Sequence, residues 1–131
     1  MSKKKQPKRK LISMNEGEKT YSMSRALVHG DWCFVSGTVG YDYTSGDLPE
    51  SAAQQTQNTF TNIMAALKAG GFELGHTVRV QYTVADRKYI KDILPVIKAH
   101  FGAILPAATM VVAGLVDENM KIEIEVTAFK G

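Results

Sequence analysis

Glu123 and Glu125 are the residues whose type and spacing offer chemistry. They alternate with Ile122, Ile124, Val126 and Ala128 in the run from Lys121 to Ala128. Alternation of this kind is the pattern of a half-buried strand, with one apolar and one polar face. The two carboxylates then stand about 7 Å apart on the polar face, at roughly 3.3 Å per residue. Three environments are open to them: an exposed face, pairing with Lys or Arg, or a cleft. Unpaired burial is costly. In a cleft, desolvation raises the pKa of one Glu and suits it to general acid/base work.

Other chemistries find less support. Cys33 sits within a hydrophobic run, where a cysteine without an adjacent base behaves as a small inert hydrophobe. Ser36 opens Ser36-Gly37-Thr38-Val39-Gly40, but no upstream glycine completes a nucleophile elbow. A structural use in a strand-to-loop turn is the simpler reading. Gly37 and Gly40 do not lead into a helix N-terminus, so a phosphate cradle is not expected. His29, His76 and His100 fall in three separate elements without metal-ligand spacing, and no metal site is expected.

These residues must be positioned by one domain, because 131 residues suit a single core. The division expected is a basic tail over 1–15 and a folded domain over 16–131. Lys3, Lys4, Lys5, Lys8, Arg9 and Lys10 crowd the first ten residues, while the other 121 carry ten basic against thirteen acidic side chains. The overall charge of +3 therefore belongs to the tail. Such a tail is either a solvated, disordered arm or an arm for nucleic acid or an anionic surface. No nucleic-acid motif occurs in the acidic remainder, so nucleic acid is not an expected partner beyond the tail. No run of about 18 apolar residues predicts a membrane helix, and no apolar stretch follows the basic start as in a secretory signal. A single cysteine fits a reducing cytoplasm.

In chain order, Met1 to about Lys10 reads as disordered and Glu16 to Ser24 as irregular. Arg25–Val28 and Trp32–Ser36 read as strands around a His29-Gly30-Asp31 turn. Ser51 with Gln54 forms a capping-box pattern, and Ala53, Gln57, Phe60, Ile63, Met64 and Leu67 predict an amphipathic helix stopped by Gly70-Gly71. Thr77–Ala85 reads as a strand with Val78, Val80, Tyr82 and Val84 on one face. Asp86 caps a second helix with the stripe Ile90, Ile93, Ile97 and Phe101, in which Pro95 predicts a kink or restart. Strands follow over Ala107–Ala113 and Lys121–Ala128. The sum is an α+β fold, β-β-α-β-α-β-β, with both helices on one sheet face.

Five segments in this order resemble the RidA/YjgF family (reactive intermediate deaminase, also labelled endoribonuclease L-PSP). They are Ser24-Arg25-Ala26; Gly30-Asp31 with Phe34-Val35-Ser36-Gly37; Gln55-Thr56, Thr59 and Asn62-Ile63; Pro106-Ala107 with Thr109; and Ile122-Glu123-Ile124-Glu125 with Ala128. The resemblance spans about residues 22 to 129. It implies a chorismate-mutase-like mixed sheet and a homotrimer, with the polar sheet faces lining a central barrel and small-molecule clefts between subunits. Family members with deaminase activity hydrolyse enamines and imines, releasing ammonia and a 2-keto acid without cofactor or metal. In them a Glu at the position of Glu123 helps to activate water, and an Arg in a Pro-Ala-Arg motif grips the substrate carboxylate. Here that Arg position is Ala108, the Cys often two residues later is Met110, and Met23 stands where a Tyr is frequent, with Tyr21 two residues away.

The resemblance therefore implies a branch without the carboxylate-gripping Arg, whose cleft would hold Glu123 as the catalytic group and Ser36, Ala108, Met110 and Arg25 around the ligand. Arg25 and Arg79 are the candidates to replace the missing cation. Three functions follow: hydrolysis of a C–N bond in a small metabolite, non-catalytic ligand or partner binding by the trimer, and ribonuclease or RNA-binding activity.

Overall fold

The computed structural model describes residues 8–131. Helix α2, Ala52–Ala69, starts where Ser51 leaves the extended region and its Oγ accepts the Gln54 amide at 3.1 Å. It ends at Gly70 and Gly71, the latter at φ +86°, a conformation glycine adopts without a Cβ clash. Its buried face is more polar than the sequence pattern predicts. Ala52, Gln55, Thr56, Thr59 and Asn62 turn inward with Phe60, Ile63, Ala66 and Leu67, while Gln57 is exposed and Ala53 half-buried. Thr56 and Thr59 make this possible by donating their hydroxyls to the Ala52 and Gln55 carbonyls.

Helix α3, Ile90–Phe101, follows a 3-10 turn over Arg87–Tyr89 that Asp86 caps through the Lys88 amide. It runs unbroken through Pro95, contrary to the expected restart. Pro95 and Lys91 are both exposed, so the helix bond missing at proline leaves the Lys91 carbonyl to water. Ile93 and Phe101 are buried and Ile90 and Ile97 half-buried, as the stripe requires. Among the described residues no helix is long and apolar enough to cross a membrane.

Among the described residues six strands form one mixed sheet: β1 Arg9–Ile12, β2 Ala26–His29, β3 Trp32–Thr38, β4 Thr77–Val84, β5 Ala107–Val112 and β6 Ile122–Phe129. The order is β1-β2-β3-β6-β4-β5; only the β4–β5 pair is parallel. The α2 and α3 side chains Phe60, Ile63, Leu67, Ile93 and Phe101 share one core with Cys33, Val35, Val80, Tyr82, Val84, Ile122, Ile124 and Val126. The alternate strand residues make the opposite, open face. At one end this face is polar, with Gln81, Glu123 and Glu125; at the other it is aromatic, with Trp32 against Phe129 at 4.5 Å between centroids and Phe34 beside them.

Three local readings are corrected. Arg9–Ile12, read as basic tail, is a strand paired with β2; the disorder expected of residues 1–7 lies outside the described residues. The segment read as irregular contains a one-turn helix, α1, Gly17–Thr20. A bulge between Thr77 and Arg79 buries Thr77 and turns Val78 outward, off the face assigned to it.

Candidate functional site

A cavity of about 510 Å³ opens beside the polar end of the open face. Its floor is Arg25, Gly37 and Glu123, its near wall is the α1 segment with Tyr21 and Met23, and its far wall is Val39, Tyr41, Val116 and Met120. Glu18 fixes the near wall. Its buried carboxylate accepts from Ser13 Oγ at 2.8 Å and from the amides of Met14 and Asn15, and its own carbonyl accepts the Met23 amide. Such a carboxylate, ringed by donors, folds the segment before β2 back onto the sheet.

Helix α2 fixes the far wall. Asn62 Nδ2 donates to the carbonyls of Val39 at 3.1 Å and Tyr41 at 2.8 Å, and Asn58 Nδ2 to that of Gly40. Gln55 donates to the Pro49 and Asn119 carbonyls and accepts the Lys121 amide, tying the loop before β6 to the same helix. The polar face of α2 thus holds both loops that border the cavity.

Glu123 reaches the floor because β3 carries a bulge between Val35 and Thr38 and because residue 37 is glycine. A Cβ on Gly37 would lie 2.6 Å from Glu123 Cδ and Oε1. The carboxylate therefore crosses β3 where only a bare backbone leaves room. Burial pushes the Glu123 carboxyl up from its ordinary pKa, Glu125 adds to the rise, and Arg25 opposes both. Arg25 is 7% exposed. Its Nη2 donates to the Gly37 carbonyl at 3.0 Å, and its Nε has no hydrogen-bond partner among the described residues.

Of the residues singled out from sequence, the fold brings Glu123 and Arg25 into one cavity. Ser36 is adjacent but engaged: its Oγ donates to the Ser24 carbonyl at 2.7 Å, pinning β3 to the segment that carries Arg25. Ala108 and Met110 do not join them within one chain. They pair with Val80 and Tyr82 and so face the helix side, whereas Glu123 pairs with Thr83 on the open side. Arg79 is exposed and donates to Thr109 Oγ1 at 3.1 Å, away from the cavity lining. Cys33 is buried, and burial raises its thiol pKa. Among the described residues no group of three or more His, Cys, Asp or Glu is placed to hold a metal.

The sequence reading missed Tyr41, Val116 and Met120 as cavity walls and the work of Gln55 and Asn62. The available signal was an amide or hydroxyl at positions 55, 56, 59 and 62, one helical face. A larger, open groove of about 700 Å³ lies between the starts of α2 and α3. Its Lys121 is taken up by the Glu50 carbonyl and the Tyr89 ring.

The Endoribonuclease L-PSP family model matches residues 15–130. A RutC family protein of Buchnera aphidicola is 31% identical over 110 residues, covering 82% of this chain and 86% of that protein. A Bos taurus protein named 2-iminobutanoate/2-iminopropanoate deaminase is 28% identical, with 82% and 80% covered. Among solved structures, a YjgF/YER057c/UK114 family member from Mycobacterium tuberculosis superimposes with a TM-score of 0.85 at 29% identity, over 94% of this chain and all of that one.

Proposed function

The chain belongs to the endoribonuclease L-PSP (RidA/YjgF) family, and from that premise we propose that it is a cytoplasmic homotrimer with small-molecule clefts between subunits, in which Glu123 hydrolyses a C–N bond of a small metabolite. The observation that carries this reading is the Glu123 carboxylate, half-buried over Gly37 with its pKa raised. A carboxyl poised in this way exchanges a proton near neutral pH more readily than an exposed one.

The shared cleft is supported by the opposite facing of Glu123 and the Ala108–Met110 strand within one chain. Strand β5 is exposed almost throughout, and Leu105 before it is 78% exposed. A neighbouring subunit covering this edge would set its Glu123 cavity against the Ala108 and Met110 side of the next chain. In the reaction, water adds to the carbon of a C=N group while Glu123 takes its proton. Glu123 returns that proton to nitrogen, giving a carbinolamine; it then passes the hydroxyl proton to the same nitrogen as the C–N bond breaks, leaving a carbonyl and a free amine or ammonia.

Ala108 has no group to fork a carboxylate, and a bidentate Arg contact cannot be reproduced by a methyl group. A short 2-imino acid therefore finds no carboxylate grip on the β5 side, and its body is too small to fill a cavity of about 510 Å³, so it should be a poor substrate. The test is ammonia release from 2-iminopropanoate generated in situ, set beside an Arg-containing relative: little or no acceleration is expected here, and an equal rate overturns the reading. The missing Arg also favours a second reading, a trimer that binds its ligand without turnover.

A further inference from the structure

Arg25 is the second charged group on the floor of the Glu123 cavity, and among the described residues no carboxylate lies within ion-pair distance of it. Among the described residues the single ion pair joins Lys19 to Glu16 on the surface. Gly37 offers Arg25 one carbonyl, Met23 Sδ lies 3.9 Å from the same Nη2, and Nε meets no acceptor. A guanidinium more than nine-tenths buried is ordinarily matched by carboxylate or phosphate, since an unpaired buried charge is costly. Arg79, the other arginine able to replace a cation lost at position 108, is exposed, bound to Thr109 and outside the cavity.

We propose that Arg25 is the anion anchor of the cleft, and that the cleft takes a small monocarboxylate with an apolar body. The proposal rests on the reading of the Glu123 cavity as the ligand site. Its further content is that the anchor has moved from the β5 side of the cleft to the Glu123 side. The apolar body follows from the walls: Met23, Val39, Tyr41, Val116 and Met120 surround the floor, and about 510 Å³ suits a small organic molecule. A single negative charge follows from the neighbours. One guanidinium faces Glu123, with Glu125 nearby and Glu18 and Asp42 also in the lining, so a dianion such as phosphate would meet more repulsion than one cation offsets.

The test compares phenylpyruvate with benzyl methyl ketone, which shares its aromatic body and lacks the carboxylate. Calorimetry on the wild-type protein should show the acid bound about ten- to a hundredfold more tightly, the range of a charge-assisted hydrogen bond. Arg25→Gln should erase that preference. Because Arg25 also holds the Gly37 carbonyl, a readout that needs no variant is added: the Arg25 Nε–H resonance should shift with the acid and not with the ketone. Equal affinity in the wild type, a preference that survives Arg25→Gln, or an unmoved resonance overturns the proposal. Glu123→Gln separates the two readings. It should keep or strengthen the acid preference, since it removes the negative charge beside Arg25. Binding of both probes without any acid preference overturns the Arg25 anchor alone, and failure of every form to bind either probe overturns the cavity as the ligand site.

Discussion

Glu123 carries a cost in the folded chain that fixes the sign of a stability experiment. Its folded pKa lies above its unfolded value, chiefly through burial. The ionised carboxylate therefore destabilises the fold above the folded pKa. That penalty fades as pH falls through the folded pKa and is gone below the unfolded value of about 4.3. Glu123→Gln should raise the melting temperature at pH 7 by a few degrees, within about 1 kcal/mol, and leave it unchanged near pH 3. Thermal melts of both proteins at the two pH values decide it; a Gln form less stable at pH 7 would mean that the carboxylate is held by favourable contacts. The residue was legible from sequence because alternation along β6 names its face. Its partner surface was not, since a bulge in β3 and the bare backbone of Gly37 decide where the carboxylate comes to rest.

At the scale of elements, α2 works as a clamp on the cavity loops. Asn62→Ala removes the donor from two backbone carbonyls, Val39 and Tyr41. The expected loss is about 1–3 kcal/mol, because half-buried carbonyls lose their partner. Urea unfolding measures the loss, and faster amide exchange around residues 39–43 locates it. A stable variant with unchanged exchange would show that the loop is held by other contacts. This clamp escaped the apolar count because threonine, asparagine and glutamine fill the inward face, each satisfied by a backbone group the sequence does not reveal. Val78 was misplaced for a related reason: strict alternation fails at a bulge. Strand β1 was hidden by its charges, since Arg9 and Lys10 stay exposed on an edge strand while only Ile12 is buried. Helix α2, helix α3 with its leading 3-10 turn, and the remaining strands were legible within a residue or two, because their caps and periodicity agree with the core they enter.

For the proposed trimer, the open sheet face is the surface to test. Val111 pairs with Thr83 on that face and is 39% exposed in the single chain. Val111→Lys should leave the far-UV spectrum and the single-chain fold intact but shift the sedimenting species toward the 14.4 kDa chain. Unchanged assembly would place the subunit contact elsewhere. The basic run is not tail throughout, because Arg9–Ile12 already add a strand to the sheet.

The opposite facing of Glu123 and Ala108 has a genetic consequence. In a cleft assembled from two chains, a defect at Glu123 and a defect on β5 belong to opposite halves. Coexpressed alleles, each inactive alone, would then complement: in a mixed ring, at least one junction joins an undamaged Glu123 half to an undamaged β5 half. Two alleles altered in the same half would never do so.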